Sequence, residues 1–356
     1  MSGAAGDAAQ QAIPREVVDL ERVAAWMDAQ GLGEGAFERA ELLAGGTQNV
    51  LLLLRRSGRD TVLRRPPPHL RRNSNETMRR EPRVLAALAG SDVPHPHLIA
   101  ACPSEDVIGA SFYLMEPIHG FNPTRGLPEP HSKDPAWRHA MGLALVDGIL
   151  ALGRVDHVAV GLADFGKVEG YLERQVPRWR AQLESYAEFA GWPGPEIPGV
   201  ERVAHWLEAN RPRSFRPGIL HGDFHLANVM FRDDAPALAA IVDWELCTIG
   251  DPLLDLGGLL ATWPPDEGPS PGSIMVTPWE GFPRTDELIA HYCEQTSRDT
   301  SALAWYRVLA CYKLGIILEG THARACAGKA PKATGDILHA TTVALFERAL
   351  RLVEAS

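Results

Sequence analysis

The sequence has no hydrophobic run long enough to cross a bilayer. Its most apolar uncharged stretches, such as Leu256 to Trp263, fall below half of the roughly 18 residues that a spanning helix needs. Nor does the opening M-S-G-A-A-G-D-A-A-Q-Q carry a basic region ahead of an apolar one, so it reads as a short lead-in and not as a secretory leader. Cysteine is scarce and scattered: Cys102, Cys247, Cys293, Cys311 and Cys326 form no C-x-x-C pair and no closely spaced framework. That excludes a disulfide-stapled fold and suits reduced thiols in a cytoplasm. A basic excess is missing as well. With 45 acidic against 35 basic residues the net charge is −10, which argues against nucleic acid as the main partner. No internal repeat or low-complexity tract is present. What remains is an enzyme-sized chain of 356 residues, with 45% apolar residues to bury and 22% charged residues to stay in solution.

Apolar spacing predicts an amphipathic helix over residues 15–32, after a Pro14 suited to a helix start. From Glu41 the pattern becomes short β-type runs: E-L-L-A, N-V-L-L-L-L-R and D-T-V-L-R, separated by turn residues. A helix from about Asn75 to Leu88 follows, in which Pro82 is expected to kink or restart the chain, and then the runs H-L-I-A-A-C and S-F-Y-L-M-E-P-I. The expectation is an α+β fold. A five-stranded antiparallel sheet with one helix after its third strand precedes a mostly helical second part, with helices near 134–153, 168–189, 200–209, 285–297, 302–326 and 334–353. Two strand-like stretches, G-I-L-H-G-D and A-L-A-A-I-V-D, interrupt the helices and end on acids; residues 120–130 and 263–283 read as loops. This divides the chain into an N-terminal extension and helix (1–35), an N-lobe expected to bind nucleotide (36–118) and a C-lobe expected to hold catalytic and acceptor-binding groups (119–356).

The strongest chemical signal is His221-Gly222-Asp223-Phe224-His225-Leu226-Ala227-Asn228, which fits the H-x-D-x-x-x-x-N loop of kinases. Phosphoryl transfer needs a carboxylate to orient and deprotonate the attacking hydroxyl, and oxygen ligands for Mg²⁺ on the phosphates. Asp223 is the candidate base and Asn228 a candidate ligand. Fifteen residues after Asn228, the apolar strand Ile241-Val242 ends at Asp243, the second candidate metal ligand. Alone, a His-Gly-Asp turn reads equally well as an Asx turn; the ordered set with Gly250-Asp251-Pro252-Leu253-Leu254-Asp255-Leu256 does not. His221 and His225, lacking a third ligand, read as structural. The literal Asp164-Phe165-Gly166 precedes Asp223 by 59 residues, the wrong order for a kinase metal motif, and reads as a turn.

H-G-D-x-x-x-x-N followed by V-D-W-E and G-D-P-L-L-D-L resembles the aminoglycoside phosphotransferase and choline kinase-like family. Further stretches resemble its kinase-like domains related to acyl-CoA dehydrogenase family members 10 and 11: D-T-V-L-R-R-P-P, D-V-P-H-P, G-A-S-F-Y-L-M-E, G-L-A-D-F-G and Y-L-E-R-Q. The resemblance implies a bilobal protein-kinase-like fold and a small-molecule kinase that uses ATP and Mg²⁺ on a hydroxylated acceptor, with a hydroxyacyl compound or its CoA thioester among the candidates. It implies that Asp255 braces the catalytic loop. ATP is expected under Gly45, Gly46 and Thr47, with Glu116 in the hinge segment that meets adenine. The third strand departs from kinases in having no lysine; Arg64 takes its place, and Glu81 is the matching helix acid. That departure keeps open an idle pseudokinase that senses nucleotide or metabolite. Arg65 facing inward in place of Arg64 also stays open. The cluster Arg64, Arg65, Arg71, Arg72, Arg79 and Arg80 reads either as solvated charge or as a landing site for anionic phosphates, and the acidic surface as a welcome for a cationic acceptor. Nucleotide preference between ATP and GTP, and a monomer against a homodimer, stay open.

Overall fold

The computed structural model describes residues 13–43, 49–70, 73–266 and 268–356, which form two compact units. The first comprises residues up to Ala89 together with His95–Ile118, and the second Gly90–Pro94 with His119–Ser356. Among the described residues no helix is long and apolar enough to cross a membrane.

The first unit opens with helix α1 (Leu20–Ala29). It starts five residues later than apolar spacing predicts, because Asp19, whose side chain accepts the Arg22 N–H, caps it while Pro14 sits in the preceding turn. Five antiparallel strands follow: β1 (Arg39–Leu42), β2 (Val50–Arg56), β3 (Arg59–Arg65), β4 (Leu98–Cys102) and β5 (Phe112–Met115), in the order β1-β2-β3-β5-β4. Helix α2 (Ser74–Leu88) is inserted after β3 and runs unbroken through Pro82, which is buried. Leu52 and Leu54 alternate inward from β2 and meet Leu63, Phe112, Leu114, Val23 and Met27 in one core. Each such buried side chain contributes about 1.5–3 kcal/mol. The last five residues of β3, Thr61 to Arg65, are all buried, so both faces of this strand are covered.

In the second unit, Asp134 caps and Pro135 opens α3 (Pro135–Arg154). α4 (Gln175–Ser185) begins later than the expected 168 because residues 168–174 make turns. After α5 (Val200–Ala209) come four short strands, β6 (Gly218–Leu220), β7 (Val229–Phe231), β8 (Leu238–Ile241) and β9 (Thr248–Gly250), pairing β6 with β9 and β7 with β8. Helix α6 (Leu253–Thr262) was not anticipated: nine of its ten residues are buried, so it has no polar face to set a period. α7 (Thr285–Gln295), α8 (Leu303–Cys326) and α9 (Lys332–Glu354) complete the unit. α8 packs against α6 and α9, and glycines allow the close approaches: a Cβ on Gly257 of α6 would lie 2.6 Å from the Tyr306 carbonyl oxygen of α8, and one on Gly315 of α8 3.0 Å from the Phe346 ring of α9.

Candidate active site

The site of the second unit is built where β6 ends. His221 and Gly222 turn the chain back, and both of their N–H groups donate to one buried carboxylate on α6: Asp255 Oδ2 accepts from His221 at 2.6 Å and Oδ1 from Gly222 at 2.8 Å. Gly222 takes φ +85, and a Cβ there would sit 2.4 Å from the Leu246 carbonyl, so only glycine fits. Burial pushes the Asp255 carboxyl up to about 6, against the two backbone donors that hold it down. His221 is buried, and burial lowers its imidazole to about 4, so the ring is neutral at pH 7. Its Nε2–H donates to the Val242 carbonyl at 2.9 Å, and its Nδ1 accepts the Asp223 N–H at 3.3 Å. Both ring nitrogens are engaged within the protein, which leaves none for a metal.

Asp223 follows with its side chain 38% exposed. Burial alone would raise its carboxyl, but the hydrogen bond from His225 and the charges of His225 and Lys313 outweigh that and bring it down to about 2. Asn228 locks it in place: Nδ2 donates to the Asp223 carbonyl at 2.9 Å and to Oδ2 at 3.0 Å. With the amide nitrogen turned to Asp223, the Asn228 Oδ1 is the face presented elsewhere. The Val242 N–H donates to the Asn228 carbonyl at 2.9 Å where β7 meets β8, which brings Asp243 beside Asn228. Asp243 has φ 67, a left-handed turn that ends the strand abruptly before Trp244. Asp223, Asn228 and Asp243 are therefore gathered into one small loop cluster.

Lys313, on α8, was not singled out from sequence. Its Nζ donates to the Gly222 carbonyl, and Asp223 and Asp255 favour its charge against the burial that lowers its pKa. A lysine amid Cys-Tyr-Lys-Leu-Gly-Ile-Ile on a mainly apolar helix was the available signal. Asp223, His225, Thr262, Lys313, Leu314 and Ile317 line a small cavity beside the loop. Two larger cavities, of about 570 and 550 Å³, lie elsewhere in this unit and include none of the three motif residues. Asp251 caps the start of α6, accepting the Leu253 N–H at 3.0 Å and the Tyr306 hydroxyl at 2.7 Å. Phe165 is buried in a turn between α3 and α4, so the Asp164-Phe165-Gly166 stretch is part of a turn, in keeping with its order in the chain.

In the first unit Arg64 and Glu81 meet. Arg64 Nε lies 2.9 Å from Glu81 Oε2 and its NH2 nitrogen 3.2 Å from Oε1, and the Tyr113 hydroxyl donates to Oε2 at 2.6 Å. Arg65 points to the opposite face, where it donates to the carbonyls of Val17 and Pro66. Adjacent arginines are both buried, each with its own partners, and burial lowers the Arg65 pKa. The arginine cluster is thus dispersed: Arg79 pairs with Glu105 at 2.7 Å, and Arg71 and Arg72 lie outside the described residues. Glu116, just past β5, is exposed, and its N–H donates to the His97 carbonyl at 2.9 Å. Gly45, Gly46 and Thr47 lie outside the described residues.

Residues 39–288 match the sequence pattern of the phosphotransferase enzyme family. Acyl-CoA dehydrogenase family member 10 of Mus musculus is 32% identical over 81% of this chain and 27% of its own length. Acyl-CoA dehydrogenase family member 11 of Rattus norvegicus is 29% identical over 96% of this chain and 44% of its own. The chain thus spans less than half the length of these relatives. A solved structure from Ralstonia eutropha JMP134, provisionally designated an aminoglycoside phosphotransferase, superposes with a TM-score of 0.79 at 28% identity, covering 94% of this chain and 98% of that one. A GDP complex of aminoglycoside 2′-phosphotransferase IIIa, at 15% identity and a TM-score of 0.59, shares the kinase-like fold.

Proposed function

Because this chain belongs to the phosphotransferase enzyme family, we propose that it transfers the γ-phosphoryl group of ATP to a hydroxyl group of a small molecule, with Mg²⁺ held by Asn228 and Asp243 and with Asp223 acting on the acceptor. The observation that carries this reading is the Asp223–Asn228 lock. It fixes an ionised carboxylate on a loop that is tied down from two sides, by Asp255 through its N–H groups and by Lys313 through the Gly222 carbonyl. Such a carboxylate, with a pKa near 2, is a weak base but a good acceptor of a hydroxyl hydrogen bond. That suits phosphoryl transfer, where bond making lags bond breaking and the attacking group has to be oriented more than activated.

The donor set fits a hard divalent cation. Asn228 offers an amide oxygen because its nitrogen is committed to Asp223, and Asp243 offers a carboxylate on the neighbouring turn. Bound there, Mg²⁺ would neutralise phosphate charge and keep the transferred group in line. Asp223 would then position the acceptor hydroxyl and receive its proton late, as the new P–O bond forms and the bond from the γ-phosphorus to the departing ADP breaks. In the first unit, Arg64 is the residue assigned to phosphate, oriented by Glu81 and Tyr113. Since the Glu116 N–H is already taken, an adenine amine at this segment would be met by a backbone carbonyl. The idle-pseudokinase reading rested on the missing third-strand lysine, and the Arg64–Glu81 pair removes most of that ground.

For the acceptor, the similarity to kinase-like portions of proteins named as acyl-CoA dehydrogenases supports a hydroxyacyl group, free or as its CoA thioester. The test is a screen of hydroxyacyl compounds, hydroxyacyl-CoA thioesters, amino alcohols and aminoglycosides for acceptor-dependent ADP release with Mg²⁺. Release with a hydroxyacyl compound, lost in Asp223→Asn, is the expected result. Turnover only with the cationic acceptors would overturn the acceptor assignment, and none with any acceptor would overturn the kinase reading.

A test of the arginine follows from its geometry. Arg64→Ala is expected to raise KM for ATP and lower kcat, and Arg64→Lys to restore part of both, since the ammonium keeps the charge but loses the fork. Losing the Arg64 cation beside the buried Glu81 carboxylate also lowers stability, by up to about 3–5 kcal/mol, so melting is followed alongside kinetics. Arg65→Ala is expected to lower stability while KM for ATP stays unchanged. Wild-type kinetics in a folded Arg64→Ala enzyme would refute the assignment.

A further inference from the structure

One charged cluster of the second unit takes no part in the loop chemistry. Glu319 and His322 project from the same side of α8, three residues apart, and His339 faces them from α9. One carboxylate oxygen of Glu319, one ring nitrogen of His322 and one of His339 all lie within 4.8 Å of one another. Glu319 is completely buried, which is costly for a carboxylate unless positive charge or donors meet it. Its Oε1 accepts the Trp192 indole N–H at 2.8 Å, and its Oε2 faces His339 Nδ1 at 2.8 Å. In the metal-free protein the His339 Nδ1–H donates to that second oxygen.

His322 supplies the independent sign. Its Nε2 contacts Cys326 Sγ at 3.6 Å, which suits an N–H donor on that side and a lone pair on the other. The other side is Nδ1, and this atom is buried without a hydrogen-bond partner. An unmet imidazole lone pair inside a protein is unfavourable, and a cation is the partner that answers it. The two imidazoles stack with centroids 4.5 Å apart and planes at 30°. Gly335 lets the helices close at this point: a Cβ there would sit 2.4 Å from the Ala325 Cβ and 3.4 Å from the His322 Cα. Exposed Asp336, paired with Lys332 at 2.6 Å, adds negative charge nearby.

We propose that Glu319, His322 and His339 form a binding site for a divalent transition-metal cation of the zinc class, distinct from the Mg²⁺ of phosphoryl transfer. Two imidazoles and one carboxylate are a recognised three-ligand set for zinc, with a fourth position left to water. Bonds of about 2.0–2.2 Å require the trio to close slightly, and the half-exposed ring of His339 has the freedom to do so. The cation replaces the proton between Glu319 and His339 and joins α8, α9 and, through Trp192, the segment before α5. The site is thus a staple that fixes α8, the helix that six residues earlier carries Lys313.

The test is calorimetric titration of the chelator-treated full chain with Zn²⁺, in excess Mg²⁺ so that the loop carboxylates do not compete. One equivalent is expected to bind with a Kd in the micromolar range or below, and a hundredfold excess over Kd to raise Tm by about 5 °C or more. His322→Ala is the decisive variant. Because Nδ1 has no partner to lose, the metal-free variant should lose only the small contribution of the ring stack and the Cys326 contact, while Zn²⁺ affinity falls at least about tenfold. His339→Ala should also lose binding, and Cys326→Ser should retain it. No stoichiometric binding by the wild type, or unchanged affinity in His322→Ala, would overturn the proposal; loss of binding in Cys326→Ser would overturn the three-ligand assignment.

Discussion

Asp223→Ala and Asp223→Asn are expected to lower kcat by about 10²–10⁴-fold while Mg²⁺-ATP affinity changes little. The split follows from what Asp223 touches. Its carboxylate is turned toward Asn228 and His225 and stays partly exposed, the posture of a group that meets the acceptor and not the nucleotide. Its low pKa sharpens the comparison between the two variants. Asparagine keeps an oxygen that accepts the acceptor hydroxyl but has no charge to take the proton. It also turns an amide nitrogen toward Asn228 Nδ2 if its oxygen faces the acceptor. Alanine removes both functions and one of the two bonds that orient the Asn228 amide, leaving only the bond to the backbone carbonyl, so Asp223→Ala should be the more damaged of the two in metal dependence. The measurements are kcat for acceptor-dependent ADP release and calorimetry of Mg²⁺-ATP binding. A variant that kept more than about a tenth of wild-type kcat would show that another group acts on the acceptor.

Asp243→Ala is expected to fail earlier, at binding. A carboxylate on Mg²⁺ holds the nucleotide's phosphates as well as aligning them, so its loss should weaken Mg²⁺-ATP binding and reduce kcat by about 10²-fold or more. Backbone conformation gives a second arm. Asp243 sits at φ 67, where most side chains are strained, so the position is held by the surrounding turn and the Asn228–Val242 pairing. Asp243→Asn tolerates this conformation and removes only charge, whereas Asp243→Gly relaxes the conformation and removes the ligand. Equal loss of Mg²⁺-ATP affinity in Asn and Gly variants, with melting unchanged, is the signature of a ligand. Unchanged affinity in Asp243→Ala would move the metal to another residue, with Glu245 the nearest acid in sequence.

Much of this was legible in the chain because the informative residues are close together in it. Asp223 and Asn228 are five apart, and a local loop with a required glycine leaves a local signature. The sheet was legible for a related reason: β2 alternates between core and surface, and turn residues set its ends. Illegible features were of two kinds. α6 is buried on nearly every side, so its run of Leu, Gly and Ala around Asp255 carries no helical period, and β7 and β9 are three residues each, too short for any pattern. The other kind is long-range pairing. Lys313 reaches the Gly222 carbonyl across 91 residues and Tyr113 reaches Glu81 across 32, and neither partner marks the other in sequence. The choice between Arg64 and Arg65 was of this kind too. Alternation says that they face opposite ways, but only the position of α2 decides which of them meets a carboxylate.

The tether from Lys313 to the catalytic loop separates the stretch that carries the family's signature from the stretch that holds it up. The signature ends at residue 288, before α8 begins at Leu303. Yet α8 supplies the cation under Gly222, the wall on which α6 lies, and through α6 the support of Asp255 beneath both loop amides. At the other end, residue 39 leaves out Val17, whose carbonyl takes the Arg65 guanidinium, and the α1 side chains that cover Leu52 and Leu54. Boundaries drawn where motifs stop would cut through the supports of both units. For fragment design, a piece that keeps these supports has to include the turn at Pro14 and α8, and the recognisable region is only its interior.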